Sequence, residues 1–94
     1  MKPDARLSII LPAKNEAASL VALLPELKRQ LPGAEIIVVD DGSTDNTVSL
    51  CGLHQVIVVS QPYSMGNGAA VKAGARVASG EVLVFMDADG QHRP

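Results

Sequence analysis

The sequence predicts an open parallel α/β sheet of four strands with flanking helices, and three observations carry that prediction. Four short runs rich in Val, Ile and Leu lie at 7–11, 35–40, 56–59 and 82–86. In each the apolar residues follow one another instead of alternating, which is how a parallel strand covered on both faces reads. The segments between them have helical spacing and short connections, and right-handed crossovers turn a βαβαβαβ order into an open, Rossmann-like sheet.

Each element has its own local reasons. The first strand, 7–11, is expected to stop at Pro12, and Asn15 is expected to cap a helix running to about Gln30, with Glu16 suited to the positive end of its dipole. Leu20, Leu24, Leu27 and Leu31 recur at steps of four, three and four and form one apolar stripe. Pro25 falls inside that pattern and is expected to kink or restart the helix, because its ring removes a backbone donor. Pro32 and Gly33 end it. The second strand closes in Asp40 and Asp41, and residues 42–47 supply turn and capping chemistry before a short helix to about Cys51, with Gly52 as its stop. After the third strand comes a polar loop, 60–65. Gly66-Asn67-Gly68 then opens a helix to about Ser79 that sets Ala70, Ala73 and Val77 against the sheet. The fourth strand, 82–86, is expected to be covered on both faces. In the expected order 3-2-1-4 it stands at an outer edge.

Composition limits the rest. A chain of 94 residues is one domain, burying only ~60 to 65% of its unfolded surface. With one Phe, one Tyr and no Trp in a 47% hydrophobic chain, the core must be aliphatic. The net charge is −2 and the eight Lys and Arg are scattered, so no basic stripe exists for nucleic acid and none is expected as a partner. Cys51 stands alone, which excludes an internal disulfide, and the apolar run after Arg6 is too short for a signal peptide or a span. A reducing, cytoplasmic location is the expectation.

The chemistry collects where the strands end, which is where open α/β sheets bind ligands. The fourth strand delivers Asp87 and Asp89, separated by Ala88, and period-2 geometry sends Asp87, Asp89 and Gln91 to one side. Such hard oxygen donors suit Mg²⁺ or Mn²⁺. Taken alone, a D-x-D is more often two solvated acids at a turn, and the other strand ends are what alter that reading. Asp40 and Asp41 either cap their turn or serve a ligand, Asp41 being further out. Glu16 is a first-turn acid or a ligand group. Gly66 and Gly68 permit close approach of a phosphate to a helix N-terminus, or simply open the helix. Lys72 and Arg76, four apart, read as a solvated face before they read as diphosphate ligands. His54 flanks a strand and Cys51 packs; neither has a partner that would make it catalytic. A dinucleotide fingerprint at 66–71 fails because its sixth position is Val71, its first Gly lies well beyond the strand, and the later acids form a pair. A phosphorelay receiver fails for want of the later Thr and Lys strands.

Four segments in order, 8–16 (SIILPAKNE), 38–45 (VVDDGSTD), 66–74 (GNGAAVKAG) and 85–92 (FMDADGQH), together resemble a family 2 inverting glycosyltransferase of the GT-A fold, in the branch of polyprenol (dolichol) phosphate mannosyl- and glucosyltransferases. The resemblance implies that Pro12, Ala13, Glu16 and Asp41 contact the base and ribose of a GDP- or UDP-sugar. It further implies that Gly66, Gly68, Lys72 and Ala88 lie along the same donor, and that Asp87, Asp89 and Gln91 hold the Mg²⁺ or Mn²⁺ that bridges the diphosphate. An acceptor oxygen, that of a polyprenol phosphate in this branch, would attack the anomeric carbon while the metal stabilises the departing diphosphate. Ala13 stands where an aromatic is frequent, and Arg93 where an acid or small residue often follows the His. The resemblance makes residues 1–94 the donor-binding half of a longer domain, with acceptor strands and any catalytic base beyond Pro94. The expectations are therefore a chain that binds donor without transferring sugar, self-association through the 82–86 edge, and a peripheral position at the cytosolic face of a membrane for the whole protein. The alternative is a nucleotide-binding or structural α/β fragment with no turnover.

Overall fold

A computed structural model describes residues 7–53 and 56–86. The elements are β1 (Leu7–Ala13), α1 (Ala17–Gln30), β2 (Glu35–Asp40), α2 (Thr47–Leu53), β3 (Ile57–Ser60), α3 (Asn67–Val77) and β4 (Val82–Phe85). They build one four-stranded sheet in the order β3-β2-β1-β4, every pair parallel. The expected class, strand order and parallel pairing are all observed.

The period-2 geometry of the two central strands sorts their residues between two cores. Ile9, Leu11, Ala13, Ile36 and Val38 face α1 and α2, where Ala17, Leu20, Leu24, Leu27, Leu50 and Cys51 complete the larger cluster. Ile10, Ile37 and Val39 face α3 and meet Ala70, with Ala73, Ala75 and Ala78 around it. The α3 side is thin because Gly74 lies directly on the sheet. A Cβ there would stand 2.5 Å from Ile10 Cγ2 and 3.1 Å from Val39 Cγ2.

Several local expectations are corrected. Pro12 does not stop β1; it pairs with Val39 inside the strand. The Ile10 carbonyl accepts from Met86 N–H and the Ala13 carbonyl from Asp41 N–H. Backbone groups alternate sides, so Pro12's missing donor falls on the β4 side and costs the β1–β2 ladder no bond. Pro25 likewise leaves α1 as one helix, since it and Val21, whose carbonyl it fails to reach, both face water. Leu31 leaves the stripe as the exposed C-cap, Gly52 lies within α2, α3 ends at Val77, which is exposed, and β3 starts one residue late.

β4 differs most from expectation. Its residues, apolar throughout, are exposed on both faces, from 37% at Val84 to 48% at Phe85. β1 pairs with it along one edge, and no helix of the described residues covers it.

Candidate functional site

Three connections and the end of β4 converge at the carboxyl end of the sheet. The switch in strand order falls between β1 and β4, which is where open sheets bind ligands. β4 arrives there with Phe85 opposite Ile10 and the Met86 N–H donating to the Ile10 carbonyl at 3.1 Å. The expected metal ligands Asp87, Asp89 and Gln91, together with Ala88 and His54, lie outside the described residues. Among the described residues no cluster of His, Cys, Asp and Glu is arranged for a metal ion.

The 14–16 connection is built differently from a simple capped helix start. Asn15 takes φ +54°, a region Asn tolerates better than most residues. Its side chain does not cap α1. Asn15 Oδ1 instead accepts the Thr44 N–H at 2.7 Å, the Asp45 N–H at 3.2 Å and the Thr44 hydroxyl at 3.3 Å, while its own N–H donates to Ser43 Oγ at 2.9 Å. Capping comes from across the gap. Asp45 accepts the Ala17 N–H at 3.3 Å and the Thr47 N–H at 3.0 Å, so one carboxylate serves the first residues of α1 and α2. The Thr47 hydroxyl, buried, also donates to it. That hydroxyl first, then the Thr47 and Ala17 N–H groups, holds the Asp45 carboxyl below the usual carboxylate range.

The adjacent acids at the end of β2 divide the work. Asp40 points to the α1 side and accepts the Ser43 N–H at 3.0 Å, closing the turn. Asp41 points to the α3 side, and it is buried, not outward as expected, at 6% exposure. Its carboxylate accepts Met65 N–H at 2.7 Å, Gly66 N–H at 3.0 Å, and Ser64 Oγ and Gln61 Nε2 at 3.2 Å each. Those four bonds use all of the roughly four acceptor positions a carboxylate has. The Met65 N–H above all keeps this carboxyl ionised to lower pH than usual, against the opposing effect of burial. Gly42, at φ +79°, lets the two loops meet, since a Cβ would stand 2.8 Å from Ser64 N. Lys14 Nζ donates to Ser64 Oγ at 3.1 Å and adds a tie from the β1 side.

The remaining candidates fall into place by exposure. Pro12 and Glu16 are half-buried and Ala13 buried at the β1 end, whereas Gly66, Gly68, Lys72 and Arg76 are exposed. Lys14 was not singled out by the sequence, because nothing local to it shows that Ser64 lies in reach. Cys51 is a packing residue: burial, then the Asp40 charge, pushes its thiol up, away from a reactive thiolate.

Known proteins share this fold. The model of the family described as glycosyl transferase family 2 matches residues 8–94. A dolichyl-phosphate beta-glucosyltransferase of Trichomonas vaginalis is 35% identical over 103 residues, covering 95% of this chain and 32% of its own length. A mannosyltransferase from Pyrobaculum calidifontis, solved with GDP-Man and Mn²⁺, superposes with a TM-score of 0.84 at 29% identity, over 90% of this chain and 28% of that one. Glucosyl-3-phosphoglycerate synthase from Mycobacterium tuberculosis, solved with Mn²⁺, UDP and glucosyl-3-phosphoglycerate, gives 0.78 at 31% identity, over 89% and 33%. The chain thus spans about a third of the length of the curated relative. With a family match that runs from β1 through the acids after β4, on a sheet of this order, the chain belongs to glycosyl transferase family 2.

Proposed function

We propose that this chain is the donor-binding portion of a hexosyltransferase and takes the nucleotide of a GDP- or UDP-sugar, together with a divalent cation, at the carboxyl end of its sheet. The observation that carries the reading is the placement of β4, whose last paired residue lies beside β1 at the strand-order switch and leads directly into Asp87-Ala88-Asp89. Pro12, Ala13 and Glu16 on the neighbouring strand end suit the nucleoside, with Asp41 behind them and Ala88, Gly66, Gly68 and Lys72 along the diphosphate. Asp87, Asp89 and Gln91 offer hard oxygen donors that suit Mg²⁺ or Mn²⁺. When bound, the cation would stabilise charge on the departing diphosphate. The acceptor is a polyprenol phosphate, in line with the dolichyl phosphate in the relative's name. Such a lipid places the whole protein at a membrane surface on the cytosolic side, although no helix of the described residues is long and apolar enough to cross one. Titration calorimetry with GDP and UDP, with and without Mn²⁺, is the test. Binding lost on EDTA treatment and in Asp89→Ala is expected, and binding indifferent to both would remove the metal assignment.

The exposed β4 favours a second element of the proposal. Its outer edge carries backbone groups with no strand beside them among the described residues, and Val82, Leu83, Val84 and Phe85 bring no charge to deter pairing. The 94-residue chain therefore associates through that edge and transfers no sugar by itself. Sedimentation across a wide concentration range should show mass rising with concentration, and Val84→Lys should abolish the rise. Acceptor-dependent release of nucleoside diphosphate by this chain alone would refute the second half and separate an active enzyme from a binding fragment.

A further inference from the structure

If the nucleoside is read by Asp41, it must reach a carboxylate that the fold has already covered. Asp41 is 6% exposed, and what lies over it is the 61–66 loop, whose Tyr63 and Met65 are themselves exposed at 65% and 45%. Four donors from that loop converge on the carboxylate and leave no acceptor position vacant. A base N–H or ribose hydroxyl can gain a strong bond there only by taking a position from one of them. The loop has few other ties. Among the described residues they are the Gln61 N–H to the Asp40 carbonyl at 2.9 Å, the Ala70 N–H to the Gly66 carbonyl at 3.1 Å, which joins the loop's end to α3, and the Lys14 bond to Ser64. The two side-chain donors, Gln61 and Ser64, are also the longer bonds at 3.2 Å, against 2.7 and 3.0 Å for the backbone pair.

We propose that Asp41 is an exchangeable acceptor: in the free chain it holds the 61–66 loop across the end of β2, and a donor nucleoside gains the carboxylate by displacing the Gln61 and Ser64 donors. This rests on the donor reading above. The loop is then a competitor for the site, and the free chain binds nucleotide more weakly than its contacts alone would allow, its affinity scaled down by the fraction of time the loop is released. Weakening the hold without touching Asp41 should strengthen binding, the opposite of what loss of a simple structural support would do.

The test is calorimetric titration of GDP and UDP in the presence of Mn²⁺ into wild type and into the double variant Gln61→Ala, Ser64→Ala. Hydrogen exchange of the Met65 and Gly66 amides is followed in both. About fivefold tighter binding by the double variant is expected, corresponding to two modest hydrogen bonds no longer competing. Exchange at Met65 and Gly66 should already be faster in the free double variant than in free wild type. Binding by wild type with equal or weaker affinity in the double variant would overturn the exchange mechanism while leaving the donor reading intact. Absence of binding by wild type to either nucleotide would overturn the donor reading, and this inference with it.

Discussion

The α3-facing side of β2 carries a carboxylate at each end, and the two are put to opposite use. At the amino end, Glu35 accepts the Ser8 hydroxyl at 2.8 Å, the Ser79 N–H at 2.9 Å and the Ser79 hydroxyl at 2.9 Å, and Ser8 in turn accepts the Gly80 N–H at 2.9 Å. At the carboxyl end, Asp41 accepts from the 61–66 loop. Between them Ile37 and Val39 face the same way and meet α3. α3 is therefore strapped to one strand at its start and at its exit. The Glu35 strap interlocks with a Ser8 side chain that is wholly buried, so opening it strands polar groups away from water. The Asp41 strap is made by an exposed loop whose donors find water as soon as they let go. Opening the amino end would strand the Ser8 hydroxyl, and opening the carboxyl end would leave the buried Asp41 carboxylate in want of a donor, which on that side a ligand could supply.

The largest effect is expected midway between the straps. Gly74→Ala places a methyl 2.5 Å from Ile10 Cγ2, and overpacking of this kind costs about 1 to 3 kcal/mol. Urea unfolding should show the loss, with faster amide exchange at both ends of α3. An unchanged midpoint would mean that α3 is not held as closely as the two straps imply. Next, Glu35→Ala should cost about 2 kcal/mol, because Ser8 and the Ser79 and Gly80 amides lose a linked set of bonds. Asp41→Asn should cost less in global stability yet accelerate exchange at Met65 and Gly66 far more than at Ser79 and Gly80. If the two substitutions prove equivalent in both readouts, the contrast between the ends is lost.

Acid provides the smallest and most selective perturbation. The Asp41 carboxyl binds a proton less readily folded than unfolded. Its contribution is therefore fully present above the unfolded value of about 3.9 and is lost as pH falls through the lower folded value. Exchange at Met65 and Gly66, corrected for its intrinsic pH dependence, should lose protection below about pH 4. A protection factor constant down to global unfolding would break the link between that charge and the loop. Asp45 shares the direction of shift, but its donors belong to α1 and α2, so residue-resolved exchange keeps the two apart.

Much of this was legible in the chain. Continuous apolar runs and helical spacing show the class, because a strand buried on both faces loses its alternation while a helix keeps an apolar stripe, although the fourth run is continuous and yet exposed. The acids after the second run do lie at the carboxyl end of the sheet, while those after the fourth lie outside the described residues. What was not legible depends on partners far away in sequence. Asn15 reads as a cap from its neighbours alone, and its actual partners are 29 and 30 residues on. Ser8 and Glu35 carry no sign of each other. Pro12 and Pro25 read as breaks because propensity charges every proline for a lost bond, whereas here Pro12's missing donor faces away from β2, and the bond Pro25 loses leaves a Val21 carbonyl on the water-facing side of α1.

The Asn15 side chain that clips the first loop to the second also has a kinetic meaning. It cannot find the Thr44 and Asp45 amides until β1 and β2 have aligned and the chain between them has folded back. Its bonds belong among the last to form, after the barrier to folding has been crossed. Asn15→Ala should accordingly quicken unfolding while leaving the refolding rate nearly unchanged. One small polar side chain would then govern how long the native state lasts more than how fast it is reached.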